Sequence, residues 1–322
     1  MSLHKKISAL AFGGSLLFAA PAFAVDWAKV PGLDMTLFLP GQSSWEWALT
    51  AENMSGAADF RKGKDCAVCH IGEEKDMGPQ IAAGTPRQFK TGEKPSIEPE
   101  PVAGKPGALQ ATVKVAREGA NLLIHVDFAE GNQPNVNQEP NAASTLTVMF
   151  NNGKVPEANR GGCWAACHDD LTGMPSAQGA NRTMYLPKSR AKLSRQGGGD
   201  TLAAADQLEA LRYGGYQLEY WQAMLNQGQP AKTATQIVFD KRAPAARNVV
   251  TAEAAQTGDK WSVTLTRPIA AGAPFTDLAA DTPYYLAFAL HTGHSAHRGH
   301  YVSFERVLQL TADNATLSNP KQ

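Results

Sequence analysis

ATVKVAREGANLLIHVDF, residues 111–128, decides the fold class. Its apolar residues recur at every second position, and Glu118-Gly119-Ala120 interrupts them where a tight turn belongs. The stretch predicts a β-hairpin with Leu122, Ile124, Val126 and Phe128 on one face. His125 alternates with these, beside Leu123 and Asp127, which predicts an exposed or lightly buried surface histidine.

The same period returns downstream. STLTVMF repeats it through Leu146, Val148 and Phe150, and WSVTLT through Trp261, Val263 and Leu265. GGYQLEYWQAML alternates as Tyr216, Leu218, Tyr220, and Gly214-Gly215 before it favours strand over helix. YYLAFAL and HYVSFERVLQL flank a histidine-rich loop. Several strands joined by turns predict a mainly β protein, an antiparallel β-sandwich spanning 108–322.

Upstream the pattern differs. Residues 1–24 have a short basic start, an apolar run and an Ala22-Phe23-Ala24 cleavage site, so they read as a signal peptide cleaved after Ala24. Residues 25–107 show little regular periodicity and end in the proline-rich connection TGEKPSIEPEPVAGKPG. Short helices are expected around DCAVCH, with Ser44 and Ser55 as N-cap candidates. The chain has 30 basic and 30 acidic residues, and losing Lys5 and Lys6 with the signal leaves 28 against 30. A nucleic-acid binder would show a basic excess. No later apolar run is long enough to span a bilayer.

The four cysteines carry the chemistry. Cys66, Ala67, Val68, Cys69 and His70 form C-x-x-C-H, in which two thiols bond haem vinyl groups and the histidine becomes an axial ligand. Zinc would need two further ligands at usual spacing, and none follow His70. CWAACH, residues 163–168, has one residue more between Cys163 and Cys167, with His168 next. It reads as a haem site, a zinc site or a disulfide. Free thiols rarely persist in an oxidising exported compartment, and two haem c groups would consume all four cysteines. The extra residue can bulge between thioethers without moving the Cys167–His168 step, so haem is the preferred reading.

The opposite axial positions are less determined. His291, His294, His297 and His300 crowd into one short loop, where a solvated polar segment is the bland alternative. His300 shares the parity of Val302, Phe304, Leu308 and Leu310, so it is expected to point inward, where iron would satisfy its imidazole. It is the candidate for the second haem, with His294 next. For the first haem, Met54, His294 and Met77 compete, although either methionine serves equally as core filler.

LFLPGQSSWEW, DCAVCHIGEEKDMG, GKPGALQATVKVAREGANLLIHVDF, YQLEYWQAM and HTGHSAHRGHYVSF, in that order, resemble the ethylbenzene-dehydrogenase-like haem-binding family. That family includes periplasmic dihaem c-type cytochromes and the haem b γ subunits of DMSO-reductase-type dehydrogenases. The resemblance implies a β-sandwich holding haem at one end and electron exchange with redox proteins. Those partners include a NapC/NirT-type membrane quinol dehydrogenase and a periplasmic reductase of anaerobic respiration. It also places His300 where γ subunits carry a lysine. The cysteines depart from the γ-subunit pattern, so noncovalent haem b is not expected.

No carboxylate–histidine or Ser/His/Asp arrangement offers acid–base chemistry in the sequence. The leading expectation is a periplasmic dihaem c-type cytochrome acting as an electron carrier. The alternative is a haem enzyme or small-ligand sensor with one open coordination position.

Overall fold

The structure, a computed structural model, describes residues 25–40, 45, 49, 56–84, 103–136, 139–168, 184–193, 199, 201–295 and 299–321, with Cys167 and His168 as backbone only. The signal segment, Ser44, Met54, Ser55, His297 and most of the proline-rich connection lie outside these. In chain order the strands begin β1 (Gly32–Phe38), β2 (Ala108–Glu118), β3 (Asn121–Ala129), β4 (Ser144–Asn151), β5 (Cys167–His168), β6 (Met184–Tyr185) and β7 (Leu218–Leu225). They continue as β8 (Lys232–Val238), β9 (Arg242–Pro244), β10 (Thr251–Thr257), β11 (Lys260–Pro268), β12 (Pro283–His291), β13 (His300–Val302), β14 (Arg306–Leu310) and β15 (Ala315–Ser318). The helices are short: α1 (Ala57–Arg61), α2 (Cys66–His70), α3 (Glu74–Ala82), α4 (Pro156–Gly161) and α5 (Ala205–Tyr213). No helix among the described residues is long and apolar enough to cross a membrane.

Thirteen strands form one antiparallel sheet in the order β10-β11-β3-β2-β1-β13-β12-β4-β7-β8-β9, with β14 and β15 branching from β12. The sheet folds over on itself. Thr233 of β8 donates to the Val250 carbonyl at the root of β10, and Arg117 at the end of β2 reaches the Thr311 carbonyl before β15. One face of nearly every strand thereby enters a shared core, so the expected sandwich is a single doubled sheet. The β2–β3 hairpin turns where expected, Glu118 pairing Asn121 across Gly119-Ala120, with Gly119 at φ +56°. Leu122, Ile124, Val126 and Phe128 enter the core beside Val263, Leu265 and Trp261. Fully burying such a side chain contributes about 1.5–3 kcal/mol.

Three findings depart from the sequence reading. The segment with little periodicity supplies β1, which lies in the middle of the sheet between β2 and β13. His125 is buried rather than at the surface. Trp27 stacks on its ring at 4.5 Å, Thr264 bonds Nδ1 at 2.8 Å, and Asp127 lies 3.2 Å from Nε2. Alternation assigned the face correctly, but the N-terminal segment covers that face, and burial lowers the imidazole pKa.

The third departure is His300. β12 and β13 pair Ala289 with Val302, whereas β12 and β14 pair Leu286 with Arg306. Ala287 and Phe288 therefore oppose three residues, Ser303, Phe304 and Glu305, which is a β-bulge. A one-residue insertion exchanges the faces of the strand on either side of it. Tyr301, not His300, shares the core with Leu308 and Leu310. His300 keeps Val302 as its same-face neighbour, turned away from that core and paired with His291. It is 9% exposed there.

The core also holds an ion pair. Arg267 and Glu219 are 1% and 2% exposed. Arg267 Nη2 donates to both Glu219 carboxylate oxygens at 3.3 and 3.1 Å, and its guanidinium lies over the Phe150 and Trp221 rings. Trp221 Nε1 and the Thr276 backbone N–H also donate to that carboxylate.

Candidate functional site

The C-x-x-C-H segment is a single helical turn, α2, entered from Asp65 in an extended conformation. Residues three and four apart share one side of a turn, so Cys66, Cys69 and His70 project together. Glu73 Oε2 lies 2.7 Å from His70 Nδ1. A hydrogen bond there orients the ring and leaves Nε2 as the nitrogen for iron. Cys69 is exposed and the His70 side chain is 38% exposed, so neither is closed off by protein atoms.

Arg61, Lys62, Lys64 and Lys75 around it are exposed. They are interleaved with Asp59, which pairs with Lys64, and with Asp65, Glu73 and Asp76. The rim carries both signs rather than a basic patch.

The second motif follows β4. Asn151 ends that strand and donates through Nδ2 to the Val155 carbonyl and to Asn159 Oδ1, folding the chain into α4. Gly162, at φ +52° and ψ −128°, then starts a 3-10 turn over Gly162–Ala165. That turn takes up the extra residue between the cysteines. The Cys167–His168 backbone pairs with Met184–Tyr185. A Cβ on Gly162 would stand 3.3 Å from the Glu305 nitrogen and 3.4 Å from the Ala287 Cβ. Gly162→Ala is accordingly expected to cost about 1–3 kcal/mol of stability, read from a chemical-denaturation midpoint, because its backbone lies where only glycine is unstrained.

Both motifs dock on the bulge. Glu305 is fully buried, and its Oε1 accepts the Ala67 backbone N–H of α2 at 3.2 Å while Gly162 packs on its own backbone. Its Oε2 has no hydrogen-bond partner among the described residues. Burial pushes this carboxyl up to about 8, against the pull of backbone N–H groups and Arg306. Phe38, Ala67 and Phe304 form a small apolar cluster, joined by Cys66, Met77, Ala108 and Trp164. Arg160 of α4 lies over the Trp45 and Phe60 rings and donates to the Lys64 carbonyl beside the first motif.

Two of the thiols, Cys66 and Cys163, sit half-buried in apolar clusters. Burial raises the Cys66 thiol pKa, with Glu305 and Asp65 adding to the effect. Burial and Glu305 push Cys163 up to about 12. Zinc ligation needs thiolates, which such surroundings disfavour. An apolar wall, half-buried Cys66 and Cys163 and an oriented histidine fit a porphyrin edge bonded through thioethers.

Of the remaining candidates, Met77 packs against the first motif's cluster. His294, at φ +54°, directs Nδ1 to the Glu139 carbonyl at 3.0 Å, and its backbone binds the Ala143 carbonyl. These contacts tie it to the 139–143 segment. His300 stacks on His291 at 4.9 Å between centroids. His291 was not ranked from the sequence, although its alternation with Leu286, Phe288 and Leu290 turns it out of the core. Glu305 was missed too, because one residue between Phe304 and Arg306 shows no period of its own.

A sequence model of the ethylbenzene dehydrogenase family matches residues 24–303. The chain is 30% identical over 318 residues to a protein named cytochrome c-552 from Stutzerimonas stutzeri, covering 96% of this chain and 97% of that one. It is 27% identical over 181 residues to cytochrome c-551 from Rhodocyclus tenuis, covering 56% of this chain and 70% of that protein.

Proposed function

This chain belongs to the ethylbenzene dehydrogenase family, and within it we propose that the chain is a periplasmic dihaem c-type cytochrome that carries electrons in anaerobic respiration. The observation that carries this reading is the packing of both cysteine–histidine motifs on one bulged strand junction, with Cys66 and Cys163 half-buried in apolar clusters there. The cytochrome c names of the two relatives support haem attached through cysteine.

In this reading Cys66 and Cys69 hold one haem c, Cys163 and Cys167 the other, and His70 and His168 are the proximal ligands. His300 is the distal ligand of the second iron. Met54, His294 or Met77 completes the first, Met77 lying against the Phe38–Ala67–Phe304 cluster. Bound haem supplies a one-electron ferrous/ferric couple. Two protein ligands on each iron exclude substrate, which suits a carrier rather than an enzyme. In this reading the chain exchanges electrons with redox proteins such as a NapC/NirT-type quinol dehydrogenase or a periplasmic reductase. The signal peptide would be removed after Ala24 in that compartment.

Intact mass, a pyridine haemochrome assay and thiol titration of protein made in a periplasm test the reading together. The expected result is a chain beginning at Val25 with two covalent haems and no titratable thiol. One haem per chain, with Cys163 and Cys167 joined as a disulfide, would remove the dihaem assignment. A high-spin component in the oxidised spectrum would favour an open, ligand-binding iron.

A further inference from the structure

Trp164, one of the three residues between Cys163 and Cys167, packs against the first motif's apolar cluster, and we propose that it is the contact through which the two haem sites exchange electrons. This rests on the dihaem reading. Trp164 directly follows Cys163, so a thioether there would hold the indole beside the second haem. Its ring lies 5.4 Å from Phe304 with 24° between planes, and 5.5 Å from Phe38. Phe304 in turn lies 6.0 Å from the His70 ring, with 22° between planes. Indole, phenyl and imidazole thus form a near-parallel series from the second motif to the proximal ligand of the first. Each separation lies in the range of offset-stacked aromatic pairs.

The arrangement is fixed from several sides. The bulge turns Phe304 away from the main core, Glu305 binds the α2 backbone, and Gly162 seats the loop carrying Trp164. Filling an apolar gap would require only an aliphatic side chain, whereas electronic coupling decays less steeply through contiguous π systems than across a gap. In the exchange one electron leaves ferrous iron at one site and arrives at ferric iron at the other. No bond changes and no proton moves, and an external one-electron donor supplies the ferrous state.

The test uses full-length holoprotein, with two haems verified by mass, given one electron per chain by a photoreduced flavin. Redistribution between the haems is followed optically. Trp164→Leu should slow it severalfold while both midpoint potentials stay unchanged, and Trp164→Phe should restore most of the rate. If Trp164→Leu impairs attachment of the second haem, Phe304→Leu interrupts the same series from the other side and should slow exchange equally. Wild-type rates in Trp164→Leu and Phe304→Leu, with both haems present, would overturn the proposal. A single haem in the wild-type chain would instead remove the dihaem reading beneath it.

Discussion

His300→Ala is expected to leave both haems attached and to convert one of the two irons from low-spin to high-spin, with new binding of carbon monoxide or imidazole at that iron alone. In the proposed dihaem reading the thioethers are covalent and do not depend on the distal side, so haem content by pyridine haemochrome should not change. The spectral change should be large because removing an axial nitrogen alters the ligand field of one whole haem. His300 is turned away from the sandwich core and paired with His291. His291→Ala is therefore the necessary companion, since the two rings lie close enough for either to reach an iron beside them. Conversion in His291→Ala but not in His300→Ala would transfer the ligand role across the strand pair. Conversion only in His294→Ala would place it in the loop.

Glu219→Ala should destabilise the protein by about 3–5 kcal/mol, because it leaves the Arg267 guanidinium charged and unpaired in the core. Three donors lose their acceptor together: Arg267 Nη2, Trp221 Nε1 and the Thr276 N–H. For a chain of this size the loss corresponds to a fall in melting temperature of roughly 10 °C. Far-ultraviolet dichroism during denaturation measures it independently of the haem bands. A combined Glu219→Leu, Arg267→Met replacement should cost less than Glu219→Ala, since it removes both buried charges and keeps apolar volume between Phe150 and Trp221. A loss below about 1 kcal/mol in Glu219→Ala would mean that water reaches Arg267 and the pair is not buried in solution.

Much of the fold was legible because a strand's two-residue period is a local property. Leu122 through Phe128, Leu146 through Phe150 and Trp261 through Leu265 entered the core as their alternation required. His125 shows the limit. Its face was read correctly, but its burial depends on Trp27, nearly a hundred residues earlier in the chain, and no local pattern reports such a cover.

The sequence alone pointed to haem at DCAVCH, because a cysteine pair followed by histidine acts over a few covalent bonds, whereas the extra residue of CWAACH left haem, zinc and disulfide as readings. It determined strand faces wherever pairing ran without interruption. Only the tertiary structure decided what one inserted residue does. The bulge at Ser303–Glu305 exchanges the faces of β13 and β14, turning His300 from the core and bringing Phe304 and Glu305 to both motifs. Register belongs to a pair of strands, so β13 read by itself contains no sign of the extra residue opposite Ala287 and Phe288. The same holds for the meeting of Trp164 with Phe304: two distant segments must pack before those rings can stack.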